Sequence, residues 1–300
     1  MTRTHAFHVG NLRCFTLEGG RQRLDGGAMF GVVPKPLWER RIRPDERNRI
    51  PLAMRCLLIE HPEGLVLVDS GAGNKEDAKF RDIYGLENAG AAGTTAIEDA
   101  LAELGYRPDE IRWVINTHLH FDHAGGNTRV EGDPLAGDPG PAIPSFPNAT
   151  YVVQGSELEF ARHTNERTRA SYFPANFEPV AEADRWLLLD GETEVLPGIS
   201  VVLTPGHIPY HQSVMITDGS DTAIFLGDII PTAAHLPLPW IMGYDLEPMV
   251  TLETKRALLQ EAVQGGWRLI FEHDPVVAYG TAVAEEKGTG LGDAVTVGNG

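Results

Sequence analysis

Four side chains able to bind a metal fall within six consecutive positions of this 300-residue chain: His118, His120, Asp122 and His123, in the run THLHFDHAGGN. Alternate side chains of an extended segment point the same way, so His118 and His120 can meet one ion. Asp122 and His123 follow on a turn, and Gly125–Gly126 are expected to let the backbone bend there. Three more candidates stand where apolar runs end: His207 in LTPGHIP, Asp228 in FLGDII and His273 in IFEHDP. Each run reads as a strand, so these side chains are expected to converge on one rim. Five histidines and two carboxylates suit two divalent metal ions that share one carboxylate and keep positions open for water. This donor set suits zinc first, with iron, manganese and cobalt as alternatives.

The elements that must position these residues follow from patterning. Residues 53–69, AMRCLLIEHPEGLVLVD, read as two strands around a turn at His61–Gly64. Thr95 and Glu98 have capping-box spacing ahead of a helix over Ile97–Leu104. IRWVINT is a strand ending at the histidine run, and a strand at Tyr151–Val153 leads to a helix from Glu157, capped by Ser156 and Glu159. The second half repeats this grammar. Strands are expected at Ile199–Thr204, Gln212–Thr217 and Thr222–Leu226, with DGSD as a hairpin turn. A helix over Pro248–Val263 closes at Gly265–Gly266, and WRLIFE is expected to be the last strand. Strands mixed with helices in both halves predict a layered α/β arrangement in a single domain spanning 1–300. Residues 20–50 and 164–185 read as long irregular segments, suited to a lid, a pocket wall or a contact between copies, and 284–300 as a loose Gly-rich tail.

Composition narrows the partners. Lys and Arg total 25 against 42 Asp and Glu, a net charge of −17. Such a surface repels nucleic acid and anionic membrane, which leaves a small-molecule substrate. Cys14 and Cys56 alone cannot build a thiolate cluster, which fits a reducing cytoplasm. The amino-terminal MTRTHAFHVGNLRC is too polar for a signal peptide, and no run approaches the roughly 18 apolar residues of a membrane helix. A cytoplasmic location is expected.

THLHFDHAGG, TPGHIPYHQS, GD and EHD, in that order, with LVLVDSG at 65–71, resemble the signature of the metallo-β-lactamase superfamily. The resemblance implies an αββα sandwich of two similar halves with metals at one edge. It implies that His118, His120 and His207 hold one ion, that Asp122, His123 and His273 hold a second, and that Asp228 bridges them. Asp69 and Thr117 would orient imidazoles from behind, and His211 would support without ligating. Within the superfamily, GYDLEPMVTLETKRALL and PGHIPYHQS are most similar to the acyl-homoserine-lactone lactonase and methyl-parathion-hydrolase-like branch. That likeness implies a dinuclear hydrolase of lactones or related esters, a possible phosphotriesterase side activity, and a homodimer. A glyoxalase-II-type thioesterase and a mononuclear-iron thiol or persulfide dioxygenase are the alternatives on the same fold. The lactonases carry a catalytic tyrosine three residues after the bridging aspartate, where this chain has Pro231. Tyr210 and Tyr244 are the candidates to replace it. Met29, Phe30, Trp38, Tyr172, Phe173, Trp240 and Met242 are expected to supply an apolar pocket.

Overall fold

A computed structural model describes residues 4–88, 90 and 95–297. The first half runs β1 (Thr4–Val9), β2 (Leu12–Asp25), α1 (Gly26–Phe30), α2 (Lys35–Trp38), β3 (Arg49–His61), β4 (Gly64–Val68), α3 (Ala78–Tyr84), α4 (Ala96–Glu103) and β5 (Ile111–Ile115). Then come α5 (Phe121–Ala124), β6 (Thr128–Val130), β7 (Ala142–Pro144), β8 (Thr150–Gln154), α6 (Gly155–Arg162), α7 (Glu178–Glu182) and β9 (Trp186–Leu189). The second half holds β10 (Thr193–Leu196), β11 (Ile199–Leu203), β12 (Gln212–Asp218), β13 (Asp221–Phe225), α8 (Pro248–Gly265), β14 (Arg268–Ile270), β15 (Val277–Glu285) and β16 (Gly288–Thr296).

Two seven-stranded sheets result, ordered β1-β2-β3-β4-β5-β8-β9 and β10-β11-β12-β13-β14-β15-β16. Their inner faces bury one shared core, in which Leu57, Val68 and Ile115 meet Val201, Val214, Phe225 and Ile270. The outer face of the first sheet packs Leu58, Leu67 and Val114 against Ile97 and Leu101 of α4. The outer face of the second packs Ile224, Leu269 and Phe271 against Leu258, Leu259 and Ala262 of α8. Helix, sheet, sheet, helix: the expected four layers follow from strands such as β3 and β13 being apolar on both faces. Thr95 caps α4 by accepting from the Glu98 N–H at 3.4 Å. α8 stops at Gly266 in the left-handed region.

Several expectations are corrected. Residues 20–50 are not one irregular stretch: β2 continues to Asp25 through a register shift between Glu18 and Arg21, and α1 and α2 follow. In 164–185 a short helix, α7, forms. The helix after β8 starts at Gly155 with no side-chain cap, so Ser156 lies inside it rather than capping it. The strand of WRLIFE is not last; β15 and β16 follow, and Gly288–Thr296 pairs along β15 instead of forming a loose tail. Residues 298–300 of that tail lie outside the described residues.

Candidate metal centre

The strand order gives the site its edge. β11, β13 and β14 run parallel through their pairings, so their carboxyl ends share one rim. His207, Asp228 and His273 follow those ends. In the other sheet, β4 and β5 are parallel, and Asp69 and the 117–123 segment follow them. His118 follows β5, His120 stands on extended backbone at the start of α5, and Asp122 and His123 stand on α5. Gly125 and Gly126 are glycines for a reason other than turning. Gly125 has ordinary right-handed backbone (φ −58°), and neither glycine has a positive φ. A Cβ on Gly125 would lie 2.2 Å from the Ala72 carbonyl oxygen, and one on Gly126 2.1 Å from that of Ser70. The histidine segment is therefore pressed against the turn that carries Asp69.

The seven candidates form two groups. His118, His120, His207 and Asp228 offer atoms within 4.8 Å of one another, and so do Asp122, His123 and His273. Asp228 Oδ2 is 3.1 Å from His207 Nε2, and its Oδ1 is 3.0 Å from His273 Nε2. His207 Nε2 faces His120 Nδ1 at 3.1 Å, and His273 Nε2 faces His123 Nε2 at 3.1 Å. Two nitrogens on one tetrahedral zinc sit about 3.3 Å apart, from bond lengths near 2.05 Å. These pairs are close to that separation. His118 Nε2 is buried without a hydrogen-bond partner among the described residues, and Asp228 Oδ1 has only its approach to His273. A buried ring nitrogen is seldom left so, and a bound cation would satisfy it. The residues present thus fit a metal.

Charge supports the same fit. Burial, with neighbouring imidazoles, holds His118 and His120 well below the usual range, in the neutral form that ligates. Burial also lowers His273, but Asp228 and Glu272 outweigh it and raise the group to about 9. For His207, Asp228 and Asp245 outweigh burial in the same way. The carboxylates that raise these imidazoles are ones a bound cation would also neutralise.

A second tier fixes the rings. Asp69 accepts from Thr117 N (2.8 Å) and Thr117 Oγ1 (2.7 Å), and lies 3.1 Å from His123 Nδ1. It does so from a positive φ of 51°, a strained backbone for a non-glycine residue. Thr117 Oγ1 also reaches His118 Nδ1 at 3.0 Å. His211 is buried behind the first group, with both ring nitrogens engaged: its Nε2 accepts from Asp228 N at 3.0 Å and its Nδ1 meets Thr204 Oγ1 at 2.8 Å. Two carboxylates were not foreseen. Asp245 holds His207 Nδ1 at 3.0 Å, and Glu272 lies 2.9 Å from His123 Nδ1. Glu272 precedes His273 in EHD, and adjacency to a candidate ligand was its one available signal. Ala53 O accepts from His273 Nδ1 at 2.7 Å, and Gln22 donates to Asp122.

A cavity of about 180 Å³ opens over the site, with His120, Asp122, His207, Asp228 and His273 in its floor. Of the expected pocket residues, Met29 and Met242 line it, joined by Leu24, Phe121 and Leu246. The other five lie elsewhere. Phe30 and Trp38 are buried and stacked at 5.3 Å, with Trp240 edge-on to Phe30, as packing behind the wall. Tyr172 backs the His120 ring at 4.6 Å, and Phe173 packs on Phe80. Tyr244 lines the cavity beside Tyr84, whereas Tyr210 is 39% exposed and packs against Phe160. Pro231 accepts from His273 N at 3.0 Å.

The family model of the metallo-beta-lactamase superfamily matches residues 51–273; the chain belongs to it and is a metal-dependent hydrolase. The chain is 28% identical over 251 residues to an N-acyl homoserine lactonase of Bacillus cereus, covering 80% of this chain and 86% of that one. A crystal structure of a probable metal-dependent hydrolase from Staphylococcus aureus is similar at 30% identity and a TM-score of 0.86, over 97% of this chain and 99% of that one. An N-acyl homoserine lactone hydrolase with N-hexanoyl-L-homoserine, its product, at its catalytic metal centre is similar at 26% identity and a TM-score of 0.65, over 89% and 94%. Among the described residues, no helix is long and apolar enough to cross a membrane.

Proposed function

We propose that this hydrolase opens lactones bearing an apolar substituent, of the acyl-homoserine-lactone kind, at a centre of two divalent ions, zinc first. The observation that carries the two-ion reading is Asp228, whose two oxygens approach imidazoles of both groups. His118, His120 and His207 would hold one ion, Asp122, His123 and His273 the other, with Asp228 between them. Bound there, the ions supply Lewis acidity and lower the pKa of water to near neutrality. The chain does the rest. Leu24, Met29, Met242 and Leu246 give the substituent an apolar wall and keep bulk water from the floor. Thr168 and Ser171 line the same cavity and offer hydroxyls to a polar linkage. Asp122, in the floor, would take the proton released by the attacking water and pass it to the departing alkoxide oxygen. Tyr244 donates its hydroxyl to the ring ester, the part left open by Pro231. The names of the similar lactonases support the substrate class.

A panel of lactones, aryl esters, thioesters and phosphotriesters tests this reading. Lactones should show the highest kcat/KM, with Tyr244→Phe lowering their kcat about tenfold or more and Tyr210→Phe leaving it unchanged. A thioester preferred over every lactone would overturn the substrate assignment. Equal kinetics in Tyr244→Phe would remove the tyrosine from the reaction.

A further inference from the structure

A second cavity, of about 790 Å³, lies against the β2–β3 ribbon and does not include the metal-binding side chains. Its lining is unusual for so acidic a chain. Arg21, Arg23, Arg41, Arg43 and Arg55 all face it, five of the 25 Lys and Arg in the sequence. Three carboxylates share the lining, and two are occupied within the protein. Glu18 pairs with Arg21 at 2.9 Å. Asp274 accepts from the backbone N–H groups of Ala233, Val276 and Val277. Glu87 is exposed.

Arg55 is 4% exposed, and its guanidinium donates to the carbonyls of Phe271, Asp274 and Val277 rather than to a carboxylate. Among the described residues, Arg23, Arg41 and Arg43 make no ion pair; Arg41 lies over the Trp240 ring at 5.8 Å. Arg23 is half-buried and Arg41 and Arg43 are exposed, so three guanidiniums without an ion pair line one concavity, where their like charges favour an entering anion. Planar guanidinium forks recognise carboxylate and phosphate oxygens in pairs.

We propose that this cavity is a second, anion-binding site for a small organic molecule carrying at least two carboxylate or phosphate groups. Its volume lies within the range of small-molecule sites, far above that of a lone inorganic ion. The same ribbon that walls the cavity also touches the metal centre. Gln22 lines the cavity and donates to Asp122, and Ala53 lines it while its carbonyl accepts from His273. Occupancy therefore bears on strand residues that hold two of the candidate ligands.

The test is calorimetric titration of the metal-loaded protein with citrate, adenosine diphosphate and inorganic phosphate at constant ionic strength, repeated on Arg23→Ala/Arg43→Ala, with sedimentation of both proteins. Saturable binding of citrate or the nucleotide, weakened about tenfold or more in the double variant while lactone turnover is kept, supports the site. The better ligand of the two identifies the anion as carboxylate or phosphate. Binding equal in both proteins, or none of the three probes binding, overturns it. So does a double variant that shifts the oligomeric state without any probe binding, which would make the cavity a contact between copies.

Discussion

Asp228 sits where imidazoles from both halves of the chain converge, and Asp245 and Glu272 stand one layer behind. Asp245 is buried, holds His207 Nδ1 at 3.0 Å, and accepts from Thr251 Oγ1 at 2.8 Å. A carboxylate so placed fixes which ring nitrogen is free to ligate and how the ring is aimed. Asp245→Ala is predicted to lower metal affinity about 10–100-fold while the fold persists, read by competition with a chelator and by circular dichroism. Unchanged affinity would make Asp245 a packing residue only. The candidate ligands were legible because histidine beside aspartate at this spacing has few other uses. Asp245 was not, since an isolated aspartate in GYDLEP has many, and its partner His207 is 38 residues away. The five expected aromatic residues lie outside the cavity lining for a related reason. An apolar side chain near a site packs a core as readily as it lines a cavity, and the buried stack of Phe30 on Trp38 is core.

At the scale of elements, close approach decides what the backbone accepts. The histidine segment lies against the 69–72 turn so tightly that Gly126 leaves no room for a methyl group. Gly126→Ala is predicted to destabilise by about 3 kcal/mol and to lower metal occupancy, by urea unfolding and metal analysis. A variant as stable as the parent would show that the turn yields. Behind the same segment, Glu157 on α6 accepts from Leu119 N at 2.9 Å and Tyr172 Oη at 3.0 Å. Burial pushes its carboxyl up to about 8 from a usual value of 4.5. A folded pKa above the unfolded one stabilises fully below the unfolded value and loses that contribution as pH rises through the folded value. Glu157→Gln keeps the acceptor oxygen and cannot ionise. Between pH 5 and about 8 the stability of the parent relative to this variant should therefore fall, by several degrees in Tm. A pH-independent difference would place Glu157 in its ionised form throughout. Elements were legible where apolar runs were unbroken, as in β3, β5 and β13. β2 was not foreseen: it passes Gly19–Gly20 through a register shift, where a Cβ on Gly19 would meet Cys56 Sγ at 2.8 Å. β15 and β16 were lost to glycines at 280, 290 and 292 and to charges that face solvent.

Across the whole molecule, the two sheets bring together residues that neither half holds alone. β5 and α5 present one set of imidazoles, and the ends of β11, β13 and β14 present Asp228 and the rest. The layered α/β class was legible from strands mixed with helices, and the four layers from the family resemblance; the sheet order was not, because no local pattern specifies that β5 neighbours β8 or that β13 neighbours β14. Because the candidate ligands meet only when both halves are folded, metal should bind the folded state alone and stabilise it.

Metal content read together with turnover, on one preparation, bears most directly on the dinuclear hydrolase. The expected result is two divalent ions per chain, lactone turnover and Tm both falling when a chelator strips them, and both returning with about two equivalents of zinc. A single iron per chain with oxygen consumption, or lactone turnover untouched by removal of the metal, would contradict it.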